Sequence, residues 1–132
     1  MNTKNIISWL FRITIAIILI QTLYFKFTAN PDSVYIFTQL GVEPYGRIGL
    51  GIVELITAIL VLYPATKLIG ILNAFGIICG AIFSHFLVIG TEIKGDGGGL
   101  LTLAFVVFGS CVVLLFLHKN EFLNLLKSIV KR

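Results

Sequence analysis

Four long apolar stretches, Ile6–Phe25, Tyr45–Tyr63, Lys67–Ile89 and Gly98–Leu117, run through this chain. Each is near the ~20 residues that carry an α-helix across ~30 Å of hydrocarbon. In that medium every backbone N–H and C=O must find its partner within the protein, which leaves only helices and closed barrels. Strand-like alternation is absent, so a barrel is not supported. The expectation is an all-α, integral membrane four-helix bundle. Composition agrees, because 58% of the residues are hydrophobic where a soluble domain uses roughly 45–50%. A length of 132 residues predicts one domain, 1–132. The net charge of +4 rests on only 12% charged residues and forms no basic run before the C-terminus. That excludes nucleic acid and leaves the lipid bilayer as the partner.

The connections predict further elements. In "TANPDSVYIFTQLGVEP" (Thr28–Pro44), Asn30 suits a helix cap, Pro31 its first turn and Gly41 its end. Val34, Ile36, Phe37 and Leu40 give this short helix an apolar side, so it is expected to lie at the interface as a lid. Pro64 in "YPATK" stops the second span, and the glycines of "IKGDGGG" permit a pliable turn that places Asp96. The C-terminal "HKNEFLNLLKSIVKR" repeats apolar residues at Phe122, Leu125, Leu126, Ile129 and Val130, as an amphipathic helix on anionic lipid does. The first apolar run lacks an A-x-A-like cleavage site and is expected to be retained as a helix. Four spans put both termini on one side with Lys4, Arg12, Lys67, Lys119, Lys127, Lys131 and Arg132. Lys26, Arg47 and Lys94 fall on the other side. Cations collect on the cytoplasmic face, so both termini are expected in the cytoplasm and the membrane is expected to be the inner one.

The second span, "EPYGRIGLGIVELITAILVLYP" (Glu43–Pro64), keeps an arginine and a glutamate. Ions in a bilayer cost about 2.5–3.5 kcal/mol each on insertion scales, so they face inward, pair and mark functional sites. Arg47 and Glu54 share a helix face but stand about 10 Å apart along the axis, so a third group is needed between or across from them. Counting from the turns places Lys26 and His85 near the level of Arg47, and Gln21 about 7 Å deeper, nearer Glu54. Glu92 and Asp96 border the same rim. Gln21, Lys26, Arg47, Glu54, His85 and Asp96 therefore form the expected ligand-binding or proton-handling pocket. Snorkelling to the headgroups is the competing fate for Arg47 and the expected one for Arg12. His85 serves equally as a bundle histidine or a proton carrier.

Other motifs point to structure. "GIICGA" (Gly76–Ala81) holds a GxxxG helix-contact pattern, and "GDGGG" is neither a phosphate loop nor a dinucleotide fingerprint. Cys79 and Cys111 reach similar depth on adjacent helices, yet both sit in apolar runs and are expected to pack as small core residues. No metal-type cluster of Cys and His is present.

"FRITIAIILIQTLYFKF", "GRIGLGIVELITAILVLYP" and "GAIFSHFLVIG" together resemble the DoxX family of small four-helix bacterial membrane proteins, over nearly the whole chain. The resemblance implies that Arg12, Lys26, Glu54 and His85 are family-typical polar positions. It also implies a link to membrane oxidoreductases, since the family shares its name with a subunit linked to thiosulfate:quinone oxidoreductase. The function expected is a subunit or accessory of a quinone- or thiol-linked redox system, with a quinone headgroup as ligand and a membrane oxidoreductase as partner. No residue is assigned as catalytic and no enzyme activity is specified. The rival expectations are a noncatalytic assembly or stability factor and a small transporter, which would have to form a homo-oligomer to make a path.

Overall fold

The computed structural model describes residues 2–131. Among these residues there is no strand, and four helices are long and apolar enough to cross a membrane. Helix α1 is Thr3–Phe27, α2 Pro31–Gln39, α3 Tyr45–Leu62, α4 Lys67–Ser84, α5 Gly99–Leu117 and α6 Lys119–Val130. A 3-10 turn, Pro64–Thr66, leads into α4, and a π-helical turn, His85–Ile89, prolongs it. The chain is an integral membrane helical bundle in which α2 is the short helix after the first span and α6 the amphipathic C-terminal one. Arg132, counted above among the cations of one side, lies outside the described residues.

Local chemistry sets the boundaries. Asn2 accepts from the Asn5 amide at 2.9 Å to start α1, and Asn30 accepts from Asp32 at 3.0 Å to start α2, with Pro31 in its first turn. Gly41 follows α2 with φ +77°, which a side chain would resist. The glycine loop before α5 is organised by Asp96, whose carboxylate accepts from the amides of Ile93, Gly98 and Leu100 at 3.0, 2.8 and 3.2 Å. Thus Asp96 pins the turn that was expected to be pliable.

Helices α1 and α4 each pack against α3 and α5, and so stand on opposite corners of the bundle. The core is built from Ile15, Ala16 and Leu19 of α1, Ala58 and Val61 of α3, Ile71, Ala74 and Ile78 of α4, and Ala104, Val107, Cys111 and Leu114 of α5. Outward faces carry large apolar side chains such as Ile17, Ile59, Phe83 and Leu87, while Ser8, Arg12, Arg47, Glu54, Thr57, His85 and His118 are buried. Apolar outside and polar inside is the distribution hydrocarbon solvent demands.

Two packing expectations change. A Cβ on Gly70 would fall 2.7 Å from the Leu60 carbonyl carbon, so α4 meets α3 there. Gly76 and Gly80, the GxxxG pair, have nothing within 4 Å of where their Cβ would be. The contact falls at Gly70 because it lies on the stripe with Ile71, Ala74 and Ile78, whereas the GxxxG pair lies on the helix's flank.

Candidate functional site

The core closes the half of the bundle nearest the termini. Towards the α2 end a cavity of about 530 Å³ remains between α1 and α4, a size typical of small-molecule sites. Its walls are mainly apolar: Ile18 and Leu19 of α1, Leu50 of α3, Ile77 and Ile78 of α4, Leu103 and Ala104 of α5, with Ile36, Phe37 and Leu40 of α2 across the top. Polar groups enter it from several elements. Gln21, Thr22 and Lys26 come from α1, Glu54 from α3, Ser84 and His85 from the end of α4, and Asp96 from the loop.

The strongest interaction on this wall is an ion pair. Lys26 Nζ lies 3.0 Å from Glu54 Oε2, with the two side chains only 12% and 6% exposed. Thr22 Oγ1 lies 3.2 Å from the same oxygen and 2.8 Å from the Leu19 carbonyl, so its one hydroxyl proton is shared between them. Glu54 sits nine residues into α3, too deep to reach the interface, so it takes its partners from the last turns of α1. His85 opens the π-helical turn, is buried, and its Nδ1 lies 3.0 Å from the Gly90 carbonyl. A carbonyl only accepts, so Nδ1 carries the proton and Nε2 of the neutral ring is the acceptor. Asp96, outside the spans, has its carboxyl held below the usual range. The Ile93 amide is the largest cause; slight burial opposes it, and the Gly98 and Leu100 amides and His85 add to it.

Not every expected site residue enters the cavity. Gln21 reaches it only from an exposed edge of α1, and Thr22 makes the bond to Glu54. Arg47 is buried but does not line the cavity. Its Nε donates to Glu43 at 2.9 and 3.0 Å, and its Nη1 donates to the Lys26 carbonyl. Lys26 is therefore the group between Arg47 and Glu54, by carbonyl to one and by ammonium to the other. Glu92 lies elsewhere on the loop surface, away from this cavity.

Arg12 departs furthest from expectation. It does not snorkel: only 3% exposed, it donates from Nε to the Val61 carbonyl at 2.7 Å and from Nη2 to the Leu62 carbonyl at 2.9 Å. Its guanidinium lies 3.9 Å from the Trp9 ring centre. The last carbonyls of α3 have no helical partner and carry negative partial charge, which holds the arginine in the protein. Arg47 does the same for α1, so each of these antiparallel helices sends an arginine to the other's C-terminal end.

A second polar chain, not foreseen, lies at the termini end. Ser8 Oγ lies 2.8 Å from His118 Nε2, and His118 Nδ1 lies 3.1 Å from Glu121 Oε1. Lys67 Nζ follows at 3.4 Å from Glu121 Oε2. Serine, histidine and carboxylate are arrayed as in a nucleophilic relay, but Ser8 and His118 are each only 2% exposed. With no access for a substrate, the relay is a clamp tying α6 to α1 and α4. Burial lowers the His118 pKa, with the bond and charge of Glu121 opposing and Lys67 and Lys4 assisting. The spacing of His118 and Glu121, three apart at a helix start, resembles a capping box and was visible in the sequence; Ser8, 110 positions away, carried no signal.

Cys79 and Cys111 are both free, the latter wholly buried in the core with its Sγ 3.9 Å from the Ile71 carbonyl. Among the described residues no group of three or more His, Cys, Asp and Glu could hold a metal ion. Compared with known families, the sequence pattern of the DoxX-like family matches residues 11–113. No curated protein and no solved structure matches.

Proposed function

This chain belongs to the DoxX-like family, and from that premise we propose that it is a ligand-binding accessory subunit of a quinone-linked membrane redox system. The observation that carries this reading is the buried Lys26–Glu54 pair standing with His85 on the wall of one apolar cavity. Lys26 would hold a carbonyl or anionic head, and the Glu54 carboxylate and His85 Nε2, each first taking a proton from water, would relay the two protons that reduction of a quinone to a quinol consumes. The two electrons come from a partner oxidoreductase. Arg47 is withdrawn from ligand holding, because Glu43 and the Lys26 carbonyl occupy its donors. Both cysteines are free and Cys111 is wholly buried, which favours the quinone-linked over the thiol-linked version.

In the same reading, residues 1–132 are a single domain in the bacterial inner membrane with both termini in the cytoplasm. The cation asymmetry between the two ends supports this orientation. The test is binding of a quinone analogue to the purified protein and to Glu54→Gln. Binding to the wild type that weakens in the variant is expected; no binding to either removes the proposal.

One observation favours a second reading, an assembly or stability factor for a membrane complex. Among the described residues, every fully buried side-chain nitrogen or oxygen already has a partner inside the bundle, as a network devoted to packing would. That reading expects Glu54→Gln with His85→Asn to lower stability while crosslinking captures a protein partner.

A further inference from the structure

The cavity reaches the side of the bundle. Gly76 and Gly80 of α4 line it and are exposed at the same time, as are Gln21 and Phe25 of α1. Gly76 stands about midway along the span Pro64–Ile89, so this opening lies near the middle of the hydrocarbon layer. Nothing approaches within 4 Å of the Cβ positions of either glycine. They hold no neighbouring helix and leave a slot in the wall. At the top, by contrast, α2 covers the cavity with Ile36, Phe37 and Leu40.

The slot leads from lipid to hydrogen-bond acceptors. His85, five residues beyond Gly80 and only 3% exposed, spends its Nδ1 proton on the Gly90 carbonyl. In the neutral ring its Nε2 then carries a lone pair that no protein donor occupies, on a residue that lines the cavity. Glu54, also on this wall, meets Lys26 and Thr22 through Oε2 alone. Opposite His85 Nε2, a head that can only accept would set lone pair against lone pair, whereas a hydroxyl there forms a bond.

We infer that the cavity is filled sideways from the bilayer by a single-chain amphiphile with a hydroxyl-bearing head, the hydroxyl donating to His85 Nε2 and the chain lying out through the slot beside Gly76 and Gly80. This rests on the reading of the cavity as a ligand site, and it specifies the reduced, hydrogen-donating form of the ligand and its route. A hydrogen bond lost in a buried site weakens binding about tenfold or more.

The experiment uses the full chain in phosphatidylcholine nanodiscs, kept anaerobic. Titration calorimetry compares three probes: decyl-hydroquinone, the matching decyl-quinone and chainless hydroquinone. The wild type is expected to bind decyl-hydroquinone about tenfold more tightly than decyl-quinone. Gly80→Leu, whose side chain has room at its root, is expected to weaken the chained probe about tenfold and leave the chainless one unchanged. His85→Phe is expected to bind both chained probes alike, its retained quinone binding showing that it folds. Unchanged binding of decyl-hydroquinone by Gly80→Leu overturns the slot. Equal binding of the two chained probes by the wild type, or a preference that survives in His85→Phe, overturns the donating head. Failure of every probe to bind the wild type instead removes the cavity as a ligand site.

Discussion

Lys26 joins two charged partners at once: its ammonium lies 3.0 Å from Glu54 Oε2, and its backbone carbonyl accepts from Arg47. One residue thus ties the end of α1 to both the start and the middle of α3. At the opposite end Arg12 holds the last carbonyls of α3. The α1–α3 pair is locked by a cation at each end, and the cavity lies beside the upper lock.

Removing one member of the upper pair leaves the other charged and buried. Lys26→Met is expected to lower stability by about 3–5 kcal/mol, whereas Lys26→Met with Glu54→Leu recovers most of that. Unfolding in mixed micelles measures both. Equal stability of the single and double variants would show that the pair contributes no electrostatic lock.

The lower lock depends on guanidinium geometry. Arg12→Ala loses two charge-assisted bonds to Val61 and Leu62 and the stack on Trp9, an expected loss of about 3 kcal/mol or more. Arg12→Lys should recover only part, since an ammonium is a point charge without the planar fork. Full stability in Arg12→Lys would show that charge alone suffices. The same unfolding assay reads it.

Acid should loosen α6. Burial keeps the folded-state pKa of His118 below its ordinary value, so the unfolded chain binds the proton more readily. His118 then contributes stability that is complete above about pH 6.5 and declines as pH falls from there through the lowered folded value. Glu121 acts in the same direction at lower pH. Burial pushes its pKa up, but the bond from His118 and the charge of Lys67 outweigh this, so its contribution is lost as pH falls through the depressed value. Hydrogen exchange in Lys119–Val130 should rise between about pH 7 and pH 5, and His118→Gln should flatten the response. A slope retained in His118→Gln would assign it to another group.

The glycines of α4 should separate by face. Gly70→Ala drives a Cβ into the Leu60–Val61 backbone, costing about 1–3 kcal/mol. Gly76→Ala meets nothing and, by helix propensity, should be neutral or stabilising by up to about 1 kcal/mol. Comparable effects at both positions would refute the assignment of Gly70 as the helix contact. Thermal unfolding of the two single variants is sufficient.

Much of the polar residues' height along the bundle was legible. Counting residues from the turns placed Lys26 and His85 near the α2 end and showed that Arg47 and Glu54 needed a third group between them. What counting missed was direction. Arg12 and Arg47 both end on backbone carbonyls of another helix, and every residue has such a carbonyl, so nothing in the side-chain pattern marks the partner. Gly76 and Gly80 satisfy GxxxG as well as any contact pair, but the motif does not say which flank meets a neighbour. Ser8 meets His118 only because α1 and α5 pack together.

The sequence alone determined that the chain is helical and spans a membrane: four apolar runs of bilayer length leave the backbone no other way to satisfy its hydrogen bonds. Proline, asparagine and glycine then set where each helix begins and stops. Only the tertiary structure decided which arginine clamps, which glycine touches and which side of α4 stays open. Helical periodicity specifies a residue's height and angle on its own axis, but the rotation of one axis against another comes from packing all four together.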